Sequence, residues 1–451
     1  MRILVFGAGS VGYMLAESLS SEKHDVTIVD SASNTSLDAS DKLDVMFIRG
    51  NAASLSLQKQ AGAGNADVVI AVTRNDEVNM LSCITSKKLG AKYTIARIRD
   101  PVYARDAELF RNQLEINYVI NPERSTAGEI LRLLRIPAAV EVDTFFRGRV
   151  EIVGLRVTPD DVIVGEPLTE LRKKLKTQIL FCIVERDGAV SIPRGDFVIK
   201  GGDLVYFSGK YTDITKMLRL MGRETGKVEN VMILGGNRAA YYLSLLAARI
   251  GIRPIIIEPD ELKCEKLAED IPQSTVICGD GTDPDLLEAE NIHMMDAFAA
   301  LTDSDEENLM LSLYANRYGV RKVVSMVNRP DYIPIINSLG IDSVISPHVI
   351  TASHILHFVR GLSGSRGGKI ISLHRLLDGR VEALEFEVGG DMPYLDRKIK
   401  DMPIRRDVVI AVISSGGNSV VPSGDDIIKK GDSVVIATTH SGFDEFNDIF
   451  E

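Results

Sequence analysis

The chain has 451 residues, of which 45% are hydrophobic and 25% charged, a length that suggests roughly three or four domains. Its formal net charge of -11 excludes a nucleic-acid partner, because phosphate-backbone binding needs a basic footprint that no segment supplies. No apolar run approaches the roughly 18 residues of a membrane span, and the amino terminus enters a strand directly instead of a secretory leader, so a cytoplasmic protein is expected.

In chain order, Arg2 to Phe6 is an apolar run of the kind a strand covered on both faces requires. It leads into Gly7-Ala8-Gly9-Ser10-Val11-Gly12. Gly7 permits a tight turn, Gly9 lets the backbone approach a pyrophosphate, and Gly12 lets the helix from Ser10 to Ser20 pack closely on the sheet. The start of that helix points unpaired N–H groups and a partial positive charge at the phosphates. A second strand, Val26 to Val29, ends in Asp30, where a carboxylate accepts hydrogen bonds from a ribose diol. The same carboxylate repels a 2'-phosphate, so NAD(H) or an adenine nucleotide is preferred over NADP(H). Strand, turn, helix, strand and acid in this order predict a nucleotide-binding module.

Strands are then predicted over Val45 to Ile48, Asp67 to Val72, Tyr93 to Arg97 and Tyr118 to Ile120, with helices around Ser54 to Ala61, Asp76 to Leu89 and Ala104 to Arg111. Six strands with right-handed crossovers give a Rossmann-like, doubly wound parallel sheet, whose ligands lie beyond the carboxyl ends of the strands. Asn51, Ala52, Thr73 and Arg74 occupy those ends and are candidates for nucleotide contacts. Arg97 and Arg99 end the fifth strand, where each either reaches a phosphate or forms a surface or interface ion pair. A smaller α/β module follows, with strands Val150 to Val157, Gln178 to Glu185 and Asp203 to Phe207 and a helix over Pro167 to Lys174.

The whole plan then repeats. Val231 to Leu234, Gly235-Gly236-Asn237-Arg238-Ala239-Ala240 and Glu258 restate the first motif, with Gly235 lying 228 residues after Gly7. Thr73 through Asn79 is matched by Thr302 through Asn308, Gly50-Asn51-Ala52 by Gly279-Asp280-Gly281, and Arg97-Ile98-Arg99 by Met326-Val327-Asn328. The small module returns with strands Val381 to Val388, Val408 to Ile413 and Ser433 to Ala437. The expected domains are 1–123, 140–223, 228–348 and 369–451: two doubly wound sheets, each followed by a small α/β module. In the second motif Asn237 replaces the middle glycine and Ala240 the last, adding bulk near the pyrophosphate. Arg238 brings a phosphate-binding fork where the first copy has Ser10, and Glu258, Asp280 and Thr302 keep the polar positions. The second pocket is thus weaker, tuned to ATP or ADP with Arg238 on a terminal phosphate, or empty.

Cys83, Cys182, Cys264 and Cys278 form no CxxC pair and read as reduced, with three or four of them packed in or near cores. His354 and His357 are one helical turn apart, but no carboxylate or cysteine nearby completes a metal site, so none is expected. An NAD-dependent oxidoreductase, the alternative, needs a proton donor or acceptor beside the nicotinamide, yet the first small module has no histidine. Asp76-Glu77 and Asp305-Glu306-Glu307 stand at helix starts, where acids complement the dipole. No catalytic residue is assigned. A sensor coupled to transcription would need a DNA-binding module, and none is visible.

On Gly7 to Gly12, Asp30, Ala71-Val72-Thr73 with Asn75 to Met80, Ala96 to Arg99, Cys278-Gly279-Asp280, Ala300-Leu301-Thr302 with Asp305 to Asn308, and the two Pro-x-Gly-Asp turns at Pro193 and Pro422, the chain resembles a known family across essentially its whole length. That family is the tandem RCK (KTN) regulatory subunits of bacterial and archaeal Trk potassium-uptake systems. The resemblance implies NAD(H), ATP or ADP in the nucleotide modules and a membrane channel subunit of TrkH or TrkG type as partner. It also implies a homo-oligomer, a dimer of dimers forming a ring of RCK units beneath the membrane. Ligand-dependent ring geometry would gate the channel. The helices around Leu109–Phe110 and Arg124–Ile136 are expected to be exchanged between subunits.

Overall fold

Strand β1 (Arg2–Phe6) exposes only Arg2, as its apolar composition demands when helices cover both faces of a sheet. The computed structural model describes residues 1–31, 43–104, 107–146, 148–223, 226–341, 343–362, 368–377, 379–390, 392–440, 442–443 and 445–451. β1 runs parallel to β2 (Asp25–Asp30) on one side and β4 (Val68–Ala71) on the other. With β3 (Met46–Arg49), β5 (Tyr93–Arg97) and β6 (Tyr118–Ile120) the order is β3-β2-β1-β4-β5-β6. This is the doubly wound order, whose direction reverses between β1 and β4 and opens a crevice at their carboxyl ends. Among the described residues, helices α1 (Ser10–Ser21), α2 (Leu55–Gln60), α3 (Asp76–Leu89), α4 (Pro101–Ala104) and α5 (Ala107–Asn112) lie between these strands.

The second sheet repeats the order as β14-β13-β12-β15-β16-β17. Its strands are β12 (Asn230–Leu234), β13 (Arg253–Glu258), β14 (Thr275–Cys278), β15 (Ala297–Ala300), β16 (Lys322–Met326) and β17 (Val344–Ile345). The small modules are antiparallel. One has the order β10-β9-β11-β8-β7, from β7 (Glu141–Phe145), β8 (Val150–Arg156), β9 (Ile179–Arg186), β10 (Ala189–Ser191) and β11 (Leu204–Gly209). The other is β18-β19-β22-β20-β21, from β18 (Gly368–Leu376), β19 (Val381–Val388), β20 (Val408–Ser415), β21 (Asn418–Val420) and β22 (Ser433–Thr438).

The chain folds as two compact units. The first comprises 1–128 with 327–332 and 345–359. It thus combines the first doubly wound sheet with most of the helix Pro347–Leu362, whose Phe358 stacks on Tyr118 of β6 at 4.8 Å and 15°. Of the pair expected on a face exchanged between subunits, Phe110 is buried with Phe6, Ala96 and Ile116 in the core beneath this sheet, whereas Leu109 is exposed. The second unit comprises 129–326, 333–344 and 360–451. Here the two small modules share one core, in which Phe145, Ile152 and Cys182 meet Leu376, Val381 and Ala411. Ile130, Leu133 and Leu134 of the helix Pro122–Arg135 are buried within the chain itself.

Candidate functional site

The turn after β1 is built for close approach. Gly7 has φ +107°, a left-handed conformation that glycine tolerates, and its N–H donates to Val29 O at 2.9 Å. A Cβ on Gly12 would fall 1.9 Å from Gly7 O, so this glycine is what lets α1 sit against the turn. Gly9 caps α1 without any side-chain hydrogen bond, and a Cβ there would meet nothing within 4 Å. The helix start therefore faces open space with its first N–H groups available. Asp30, at the tip of β2, accepts from Ala8 N at 2.6 Å, which fixes its carboxylate at the mouth of the turn. Ser10 is exposed beside it, whereas Val11 is buried.

The far wall is tied together by Asn79, fully buried in α3. Its Oδ1 accepts from Thr73 N at 2.8 Å and Thr73 Oγ1 at 2.7 Å, while its Nδ2 donates to Thr73 O at 3.0 Å and Arg97 O at 2.9 Å. One amide thus clamps the ends of β4 and β5. Arg97 donates from a terminal nitrogen to Thr73 O at 2.8 Å, but its buried Nε has no hydrogen-bond partner. Burial first, and the charge of Arg99 next, pull its guanidinium below the ordinary value. An anion beside it would relieve both effects. The open helix start, the orphaned Arg97 Nε and the Asp30 carboxylate fit the phosphates and ribose of a nucleotide.

Other candidates sort differently. Asn51 is exposed and accepts from Ala53 N at 2.9 Å in a local turn. Ala52 is buried with its side chain in the core, and its carbonyl accepts from Gln58 Nε2 at 2.7 Å. Arg74 is exposed. Arg99 is engaged by Glu123, Nε to Oε1 at 2.5 Å. Asp76, read as a dipole partner, also accepts from the N–H groups of Arg99 and Asp100 at 2.8 Å each. The clamp by Asn79 was not legible in the motif, though Asn79 and Asn308 stand in register in the repeat.

The second cleft has the same frame and different contents. Asn308 clamps Thr302 and the carbonyl of Met326 as Asn79 clamps Thr73 and Arg97. Glu258, 5% exposed, accepts from Gly236 N at 2.6 Å and Asp260 N at 3.2 Å. Asn237, however, caps the helix Arg238–Arg249 with its side chain, accepting from Ala239 N at 3.0 Å and Ala240 N at 3.1 Å. Its Nδ2 donates to Leu301 O. The cleft, about 190 Å³, is lined by Glu258, Lys263, Asp280, Thr302, Asp303 and Glu307 among others; Lys263, Asp303 and Glu307 were not expected there. Arg238 is exposed at the helix start.

Two doubly wound sheets in tandem, each followed by an antiparallel module, define a duplicated protein of the Rossmann-like fold class. The TrkA-N domain model matches residues 3–122 and 231–347, and the TrkA-C domain model residues 152–222 and 383–451. The chain belongs to the family of the Trk system potassium uptake protein TrkA. It is 31% identical over 450 residues to the TrkA homolog of Archaeoglobus fulgidus, covering 100% of both chains. It is 32% identical to TrkA of Haemophilus influenzae, covering 97% of this chain and 95% of that one. Among solved structures, the GsuK RCK domain superposes with TM-score 0.62 at 19% identity, covering 97% of this chain and 92% of that chain; the fold is shared. Family membership makes the chain a regulatory component of potassium transport and not an oxidoreductase.

Proposed function

We propose that this chain is a nucleotide-sensing regulatory subunit: NAD(H), ATP or ADP binds the first cleft and biases a membrane potassium-uptake channel between open and closed states. The observation that carries the reading is the uncapped start of α1 at Gly9, next to a turn whose Ala8 N–H holds the Asp30 carboxylate. Solved structures of the same fold include a GsuK channel bound to NAD, at TM-score 0.62 and 18% identity, and GsuK bound to ADP, at 0.51 and 17%. Among the described residues no helix is long and apolar enough to cross a membrane, which supports assigning the pore to a separate subunit of TrkH or TrkG type. The tandem units assemble as a homo-oligomeric ring, a dimer of dimers, held at the inner face of the membrane by that subunit. Gating follows from differential binding, since a nucleotide shifts the channel only by its affinity difference between ring geometries.

Calorimetry of the full chain with NADH, ATP and ADP tests the site. Asp30→Ala is expected to weaken binding by roughly tenfold or more, the scale of one lost charge-assisted hydrogen bond to a ribose, with circular dichroism unchanged. Unaltered NADH and ATP affinity in a folded Asp30→Ala chain removes the assignment. Potassium flux through vesicles holding the channel subunit, with and without nucleotide, then tests the coupling.

A further inference from the structure

We propose that Asn237 closes the second cleft to pyrophosphate-bearing nucleotides, so that one chain seats one dinucleotide, in the first cleft. The proposal rests on the reading of the first cleft as a nucleotide site and concerns what its duplicate has become. A pyrophosphate on a doubly wound fold is held by the free N–H groups at the first helix start. In the second module those donors are taken: Ala239 N and Ala240 N bond to Asn237 Oδ1 at 3.0 and 3.1 Å. The amide is anchored at its other end by donation to Leu301 O, which holds it across the seat. At the matching position a Cβ on Gly9 would meet nothing within 4 Å, and that open volume is where a phosphate fits.

A second difference, at another strand, points the same way. Arg97 ends β5 with an unpartnered Nε. Met326, 4% exposed, stands in its place on β16. The second cleft has therefore lost the guanidinium as well as the free helix start. The charged residues in its lining are mostly acids, Glu258, Asp280, Asp303 and Glu307, with Lys263 Nζ 3.6 Å from Glu258. Arg238 adds a positive charge at the rim, but it is exposed, where solvent and salt screen it, and it supplies no substitute for the occupied backbone donors. A phosphate entering here has to displace an amide that makes three hydrogen bonds. A penalty of at least tenfold in affinity, ~1.4 kcal/mol, is expected.

The test is a reciprocal exchange in the full chain, with NADH and ADP as probes and stoichiometry read by calorimetry. Asn237 has φ -79° and ψ -179° and Gly9 has φ -70° and ψ -175°, extended backbone open to either residue. The wild-type chain is expected to bind one NADH, Asn237→Gly two, Gly9→Asn none or at least tenfold more weakly, and the double exchange one. Melting curves confirm that each variant folds. Two wild-type sites of similar affinity, or a folded Asn237→Gly chain with no added site, overturns the proposal. If the wild-type chain binds none while Asn237→Gly binds one, the reading of the first cleft fails and the role of Asn237 stands.

Discussion

Asp143 and His374 occupy the same place in the two small modules, and they touch: His374 Nδ1 lies 2.7 Å from Asp143 Oδ1. Asp143 pairs with Ile152 across β7 and β8, and His374 with Ala383 across β18 and β19. Contact between equivalent positions places the pair on the local twofold relating the two sheets. In a dimer of identical modules that position would oppose two like side chains. Duplication within one chain has allowed the halves to diverge into an acceptor and an imidazole, with the His374 ring 4.6 Å from that of Phe145. Asp143→Ala and His374→Ala should each destabilise the chain, and the double variant should cost about 1 kcal/mol less than the sum. Denaturant melts of the four chains measure this; strict additivity would show that the contact carries no coupling.

The glycines of the first turn should separate binding from folding. Gly9→Ala adds a methyl to open space, so its melting curve should match the wild type within about 0.5 kcal/mol. Its NADH affinity should nevertheless fall, because the methyl stands where the backbone meets the pyrophosphate. Gly12→Ala instead drives a Cβ toward Gly7 O and should cost about 1–3 kcal/mol as overpacking. Equal stability losses in the two variants would show that the turn is not shaped as described.

The doubly wound sheets were legible because buried parallel strands are written as apolar runs, and β1, β5 and β6 fall where the runs do. The small modules were read only in part. β7 contains Glu141 and Asp143, acids that argue against a buried strand until their partners are known. Glu141 accepts from the Tyr206 hydroxyl at 2.6 Å and Asp143 meets His374, 65 and 231 residues away. No local window contains such partners. The cleft residues were legible in identity and not in role: Asn237 was read as bulk and proves to be a helix cap, and Arg97 and Arg99 were told apart only once Glu123 was seen to claim Arg99.

Acid should weaken the first small module through Asp203. This residue is 1% exposed and forms a forked pair with Arg186, both contacts 2.7 Å, while also accepting from Lys200 N at 2.9 Å. Burial pushes its carboxyl up, but the Arg186 fork and the Lys200 N–H outweigh burial and hold it below the usual range. A carboxyl depressed in the folded state contributes stability in full above its unfolded value of about 3.9, and that contribution fades as pH falls further, through the folded value. Asp203→Asn should therefore lose about 1–3 kcal/mol at pH 7, and the gap to wild type should narrow below about pH 4. In the second module Ser415 stands where Arg186 does, so Asp432→Asn should cost less at pH 7. Urea midpoints across pH check both; a gap independent of pH would rule out the Asp203 explanation.

Thiol chemistry should single out Cys278. It is exposed, whereas Cys83, Cys182 and Cys264 are buried. Burial pushes the Cys83 thiol up, that of Cys182 up to about 11, and that of Cys264 up to about 12, with Cys278 a further contributor to the last. Since the thiolate is the nucleophile, a maleimide at pH 7 should add once per chain quickly and reach the other three sites only on unfolding. Mass spectrometry counts the adducts, and Cys278→Ser should abolish the fast one; two fast adducts in the folded wild type would contradict the burial. Cys278 also pairs in register with Glu258, at the edge of the second cleft, so the fast adduct reports on that cleft. NADH confined to the first cleft should leave the labelling rate unchanged. In the Asn237→Gly chain, where the second cleft is expected to admit the dinucleotide, the same NADH should slow it.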